Sequence, residues 1–258
     1  MRVVLAQLAA TTDSAANRGL VASVLDAART ASADLVVLPE ATMHDFGDPE
    51  HDLAAAAEPL DGPFVELLAT HARRLGATVV AGMFEARAAG LPYNTLVALG
   101  PDGALRAAYR KVHLYDSFGY RESDRLAPGD IDPVVLDVAG HRLGLMTCYD
   151  LRFPEVARLL VDAGADTLVV PAAWVHGPLK EDHWTTLLRA RAIENTVFVL
   201  AAGQCPPIYV GHSTLVDPMG VVLAAAGEAP GLVVGEVDPA RTVQARELNP
   251  SLANRRIR

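Results

Sequence analysis

Hydrophobic and polar positions fall into blocks of two kinds along this chain. Short apolar runs occupy residues 3–7, 35–38, 78–84, 93–99, 104–112, 134–138, 142–147, 166–170 and 197–202. They read as strands, and the uninterrupted run at 35–38 fits a strand covered on both faces. Longer segments with helical spacing lie between them. Asp13 or Ser14 can cap a helix with Val21, Val24, Leu25 and Ala28 on one face, and Gly62-Pro63 opens another with Phe64, Leu67, Leu68, His71 and Leu75. Pro154 suits the first turn of a third, whose expected inner face is Val156, Leu159, Leu160 and Ala163. In a fourth, residues 181–195, the positions Trp184, Leu187, Leu188 and Ala192 align. Runs at 213–216, 221–225 and 232–237 read as antiparallel strands divided at Pro218, Gly220, Gly227 and Gly231. A short helix at 239–248 and a basic tail with Arg255, Arg256 and Arg258 close the chain.

So many strands with so few helices imply two sheets, each hiding one face on its twin and the other under helices. The expected fold is α/β, a four-layer α-β-β-α sandwich, and no break in composition divides residues 1–258 into more than one domain. Two polar loops stand out. Residues 41–53 contain His44, Asp45, Asp48 and His51, and residues 113–132 have little apolar content, as a functional or a mobile loop would.

Composition narrows the function classes. With 258 residues, 51% of them hydrophobic, the chain can bury a sizeable core. Two cysteines cannot build a disulfide framework, which points to a reducing, cytoplasmic setting. The net charge of -9 argues against nucleic acid or an anionic membrane as main partner, and no apolar stretch approaches a membrane span. The apolar start is short, interrupted by Gln7 and followed by Thr11-Thr12-Asp13-Ser14, so it reads as a strand and not a signal peptide.

Three reactive side chains end strand-like runs: Glu40 after 35–38, Lys111 in Tyr109-Arg110-Lys111-Val112-His113-Leu114, and Cys148 after 143–146. Strand ends on one edge of a sheet converge in space, and a thiol on a strand-to-helix turn is a candidate nucleophile. Together the three can perform acyl transfer: the thiol attacks, the carboxylate moves the proton, the ammonium meets the oxyanion. Singly, each has a plainer account. Cys148 could be a small buried hydrophobe, Glu40 a loop cap and Lys111 a solvated cation.

The segments Leu38-Pro39-Glu40, residues 109–114 and Thr147-Cys148-Tyr149-Asp150-Leu151-Arg152-Phe153-Pro154-Glu155 resemble, in order, the signature segments of the nitrilase superfamily of carbon-nitrogen hydrolases. The likeness runs through nearly the whole chain. It implies a Glu40-Lys111-Cys148 triad supported by Glu122, an oxyanion held by Lys111 and the Tyr149 N–H, no metal or organic cofactor, and assembly into homodimers or larger homo-oligomers. Residues 58–62, 148–155 and 201–205 look most like the branch acting on ω-amides and deaminated glutathione, although residues 41–53 lack the Asn/Ser-Pro-Tyr run seen there in many ω-amidases. The expected activity is cysteine-dependent hydrolysis of a small carboxylate-bearing amide to acid and ammonia. An N-carbamoyl amine hydrolase and a non-catalytic scaffold are the alternatives.

Other residues weigh less. Arg152, four residues past Cys148, could meet a substrate carboxylate or pair with Glu155. Trp174 could line the pocket; Trp184 belongs to the core. Cys205 beside Pro206-Pro207 reads as structural, and His176 and His183 lack the setting of a Cys-His protease. The loop with His44 and His51 has no zinc-type spacing and reads as a polar cover for the pocket.

Overall fold

The computed structural model describes residues 1–257; Arg258 of the basic tail lies outside the described residues. The first half of the chain runs β1 (Arg2–Gln7), α1 (Ser14–Ala28), β2 (Leu35–Val37), α2 (Leu53–Ala56), α3 (Pro63–Leu75), β3 (Thr78–Glu85), β4 (Tyr93–Leu99) and β5 (Leu105–Arg110). A small hairpin, β6 (Asp116–Ser117) and β7 (Tyr120–Arg121), follows. The second half runs β8 (Val135–Val138), β9 (His141–Leu145), α4 (Pro154–Asp162), β10 (Thr167–Ala172), α5 (Lys180–Asn195) and β11 (Phe198–Gly203). Then come β12 (Thr214–Val216), β13 (Val222–Ala225), β14 (Gly231–Glu236) and α6 (Pro239–Leu248).

Two six-stranded sheets result, ordered β14-β1-β2-β3-β4-β5 and β13-β12-β11-β10-β9-β8. Each has three parallel strands at its centre, β1-β2-β3 or β9-β10-β11, with antiparallel strands outside them. Alternation along β2 explains the layering. Val36 and Leu38 face a core built with Val21, Leu25, Phe64 and Leu68 of α1 and α3. Leu35 and Val37 face the twin sheet and meet Leu145, Val169, Phe198 and Leu200. On the far side, Leu168, Val170 and Val199 pack under Leu160, Trp184 and Leu188 of α4 and α5. The layers are therefore α-β-β-α, as the pattern of runs implied. The local signals hold as well: Asp13 Oδ1 accepts the N–H groups of Ala15 and Ala16 at 2.9 and 3.0 Å, and α3 begins at Pro63 and ends on left-handed Gly76.

Two features depart from the expected pattern, and a third was left open by it. Leu159 is 38% exposed, and Ala157, Leu160 and Val161 are the buried positions of α4. The helix packs against α5 as well as β9, so its inward stripe is rolled toward that neighbour. Residues 113–132 are not bare loop: they carry the β6-β7 hairpin and a 3-10 turn, Glu122–Asp124. Finally, β14 does not extend the second sheet. It pairs antiparallel with β1, Arg2 opposite Glu236 and Gln7 opposite Gly231, and a Cβ at Gly235 would collide with Leu215 of the other sheet.

Leu200 sits between the sheets with no exposed surface. Leu200→Ala is expected to cost about 2–5 kcal/mol in urea unfolding, from lost transfer energy plus the cavity left behind. A cost within experimental error would mean that the two sheets do not close on each other there.

Candidate active site

The β2 strand ends at Val37, and Leu38 continues its pairing by donating to Val80 O at 2.8 Å. Pro39 then stops the ladder, and Ala41 takes a left-handed φ of 55° that turns the chain. The turn lies flat on β3 because residue 82 is glycine: a Cβ there would come within 2.6 Å of Glu40 Cα. Glu40 is thereby fixed with its side chain buried. Its Oε1 accepts from Lys111 Nζ at 2.8 Å and Asn94 Nδ2 at 2.7 Å, and its Oε2 accepts from the Ala173 N–H at 2.6 Å.

Lys111 follows β5 directly, its N–H donating to Asn94 O at 2.8 Å. Besides Glu40, its Nζ meets both oxygens of Glu122, at 2.9 and 3.2 Å. Glu122 starts the 3-10 turn after β7 and accepts also from the Tyr115 N–H at 2.6 Å and from Asn94 Nδ2 at 3.0 Å. The side chains of Glu40, Lys111 and Glu122 are each only 1% exposed. Burial works against the ammonium, but Glu122 and then Glu40 outweigh it and hold Lys111 well above the ordinary lysine range.

Cys148 stands where β9 gives way to α4. Met146 makes the last strand-like contact, to Val169 O at 3.1 Å, and Cys148 itself has φ 45°, a conformation that non-glycine residues adopt only under constraint. Asp150 supplies the constraint. This buried carboxylate accepts from the Thr147 N–H at 3.0 Å, Tyr109 Oη at 2.6 Å and the His113 N–H at 3.0 Å. The turn that carries Cys148 is thus tied to the strand that leads to Lys111. Burial raises the thiol pKa well above its usual value; the negative charge of Glu40 adds to the rise and Lys111 opposes it. The resting sulfur is a protonated thiol.

Glu40, Lys111, Glu122 and Cys148 line one cavity of about 380 Å³. Such a buried acid, ammonium, second acid and thiol, set beyond the ends of four strands, are the groups acyl transfer requires. A family model for carbon-nitrogen hydrolases matches residues 2–247. The chain belongs to that family. It is 43% identical over 258 residues to the deaminated glutathione amidase of Escherichia coli O157:H7, covering 100% of this chain and 98% of the relative. The structure resembles XC1258 of Xanthomonas campestris, a CN-hydrolase superfamily protein with an arsenic adduct in its active site. There the TM-score is 0.89 at 30% identity, with 100% and 98% of the two chains covered. It resembles Saccharomyces cerevisiae Nit3, of the nitrilase superfamily, equally well: TM-score 0.89, 29% identity, 100% and 97% covered. The protein is thus a carbon-nitrogen hydrolase of the nitrilase superfamily.

The rest of this hydrolase's pocket is assembled from loops. Tyr149, Arg152 and Trp174 all reach the cavity. The guanidinium of Arg152 lies 4.9 Å from the centre of the Trp174 ring, with Nη2 3.3 Å from His183 Nδ1, and it makes no ion pair with Glu155. His183 is therefore engaged by Arg152, and His176 faces Glu181 at 3.5 Å. Trp184 is fully buried on the inner face of α5, and burial alone pushes the Cys205 thiol up to about 11. The loop at 41–53 roofs the pocket through Phe46, Gly47 and Pro49, and two of its polar residues are inside while Asp48 stays exposed: His44 stacks on His51, and Asp45 accepts from Tyr209 Oη at 2.6 Å. Arg125 fastens that roof to the loop after β7, donating to Phe46 O at 2.6 Å and His51 O at 2.7 Å.

Sequence reasoning passed over Asn94, Asp150, His113 and Arg125. Asn94 had a signal, since it is an amide inside the mostly apolar β4, where an unpaired amide is costly. Its Nδ2 bridges the two carboxylates that face Lys111. His113, stacked on Phe153 with ring centres 3.8 Å apart, had none.

Replacing Lys111 by Met would leave Glu40 and Glu122 facing each other without a cation. Lys111→Met is expected to destabilise the fold by about 3–5 kcal/mol, the usual cost of stripping one partner from a buried ion pair. Urea unfolding at pH 7 measures it, and an unchanged midpoint would show that the cluster is not charged as described.

Proposed function

We propose that this enzyme hydrolyses a small carboxylate-bearing aliphatic amide, of the ω-amide or deaminated-glutathione type, through a thioester on Cys148. The observation that carries the reading is the buried Glu40-Lys111-Glu122 cluster sharing one cavity with the Cys148 thiol. Deaminated glutathione amidase as the name of a full-length relative supports the choice of amide.

In this reading the chemistry follows from the protonation states. Because the resting thiol is neutral, attack on the carbonyl and proton transfer to Glu40 occur together, and no stored thiolate is needed. The new C–S bond pushes the carbonyl electrons onto oxygen, where Lys111 and the Tyr149 N–H receive the charge. Glu122 keeps Lys111 charged and aimed, with Asn94 holding the two acids apart. When the C–N bond breaks, Glu40 returns its proton to the departing nitrogen, and ammonia or an amine leaves. Water then attacks the thioester, Glu40 takes a proton from it, and the carboxylic acid departs as the sulfur is reprotonated. Arg152 and Trp174 would position the acyl chain. No metal or organic cofactor enters any of these steps.

The whole chain, residues 1–258, is read as one catalytic unit. Cys148 must remain reduced to attack, which fits a cytoplasmic setting, and no described helix is long and apolar enough to cross a membrane. The exposed apolar residues Leu159, Ile193 and Val222 fit burial against a second copy in a homodimer or larger assembly.

A panel of small amides read by ammonia release, with Cys148→Ala as blank, tests the proposal. Wild-type turnover of an ω-amide and none by the blank is the expected result; equal release by both would end it, and carbon dioxide released together with ammonia would redirect it to N-carbamoyl amines. Glu40→Gln is expected to lower kcat by roughly 10²–10⁴ fold, the usual contribution of a general acid-base.

The raised thiol pKa has a kinetic sign. Burial and Glu40 hold Cys148 as the thiol from pH 7 to 9, and attack coupled to proton transfer onto Glu40 uses that thiol directly, so the rate does not follow the thiolate fraction. Between pH 7 and 9 kcat/KM should stay flat. A tenfold rise per pH unit in that window would show that attack requires free thiolate.

A further inference from the structure

One more cation reaches the cavity without an acid to meet it. Lys180 opens α5 and is only 5% exposed. Its Nζ donates to Tyr115 Oη at 3.0 Å and lies 4.8 Å from the Tyr115 ring centre, 4.7 Å from that of Phe118 and 5.4 Å from that of Trp174. An ammonium with three donors has spent one on a phenol, and the aromatic faces give it only partial compensation for lost water. Burial and the charge of Arg152 both weigh against the ammonium, and the group that opposes them is Cys148, not a carboxylate.

Arg152 is in the same position. Its guanidinium lies over the same indole, 4.9 Å from the Trp174 ring centre, and its side-chain partner is the His183 ring, not an acid. Two cations are thus gathered around one tryptophan at the wall of the cavity that holds Cys148. Like charges so placed repel each other, and the arrangement becomes favourable when an anion lies between them. The acids nearest in sequence do not fill the gap: Glu181 is turned toward His176 and His212.

We propose that Lys180, together with Arg152, seats a carboxylate of the bound substrate, and that Lys180 sets the enzyme's preference for anionic over neutral amides. The inference rests on the amidase reading above and adds to it a residue that no motif pointed to. An amide whose far end is a carboxylate would lay that end against Lys180 and Arg152 and its carbonyl beside Cys148. A neutral amide of the same length would leave both cations bare.

The test compares the full-length protein with its Lys180→Met and Lys180→Arg variants on two amides of equal length, glutaramate and pentanamide. Lys180→Met keeps the buried stem and removes the charge; Lys180→Gln serves if Met disturbs the start of α5. The expected result is a fall of roughly 10–100 fold in the ratio of kcat/KM for glutaramate over pentanamide, the usual worth of a charged hydrogen bond. The fall should come through KM more than kcat, and Lys180→Arg should recover part of it. A ratio within twofold of the wild type would overturn the proposal.

A binding arm separates this proposal from the amidase reading. Glutarate is titrated into Cys148→Ala and into Cys148→Ala with Lys180→Met. Binding at least tenfold weaker in the double variant supports the seat, and equal binding in the two refutes it. Absence of wild-type turnover on glutaramate would instead count against the amidase reading.

Discussion

The Lys111 ammonium, shut away from water, keeps its charge through the carboxylates beside it, and this requirement organises the site. Lys111 meets it with two carboxylates that come from different parts of the chain, Glu40 after β2 and Glu122 after the β6-β7 hairpin. Neither acid could be held there by its own loop alone. Glu40 is braced by Asn94 from β4 and by the backbone of Ala173 after β10; Glu122 is braced by Asn94 and the backbone of Tyr115. The cluster therefore joins the two sheets and the loop between them, and its geometry is as rigid as the layers that frame it. The same three charges also set the state of Cys148, since a net negative neighbourhood and burial keep a thiol protonated.

A second buried carboxylate does comparable work for the backbone. Asp150 accepts from Thr147, Tyr109 and His113, so the strained turn at Cys148 cannot relax without breaking contacts to the strand leading to Lys111. The Cys148 thiol and the Lys111 ammonium are positioned by one shared fixture. The looser parts of the pocket are tied in a similar manner, with Arg125 holding the 41–53 loop through two backbone carbonyls. Rigid chemistry below and a loop-built wall above is the arrangement expected where one reaction is kept and its acyl group varied.

Much of the fold was legible because its signals are local. Apolar runs of strand length, a capping Asp13, Pro63 and Pro154 at helix starts, and the near absence of helices after residue 195 lead to two covered sheets without any knowledge of contacts. The failures have a common cause. Leu159 carries the right spacing for an inner face, but the roll of α4 is decided by its packing on α5. The 113–132 segment has little apolar content because, besides Leu126, what it buries is the Glu122 carboxylate, and that burial is affordable only beside Lys111. Nothing in residues 231–236 says that β14 leaves the second sheet for β1.

The sequence by itself determined which chemistry is available: a thiol, two acids and a lysine in segments whose order and neighbours match one hydrolase superfamily, on strands of recognisable pattern. Only the tertiary structure decided that Asn94 spans the two acids, that the thiol rests protonated, and that Lys180 joins Arg152 around Trp174. These are properties of distance and of water exclusion. A residue's type and spacing carry its chemical capacity, whereas its charge state and partners depend on which remote segments the folded layers bring against it.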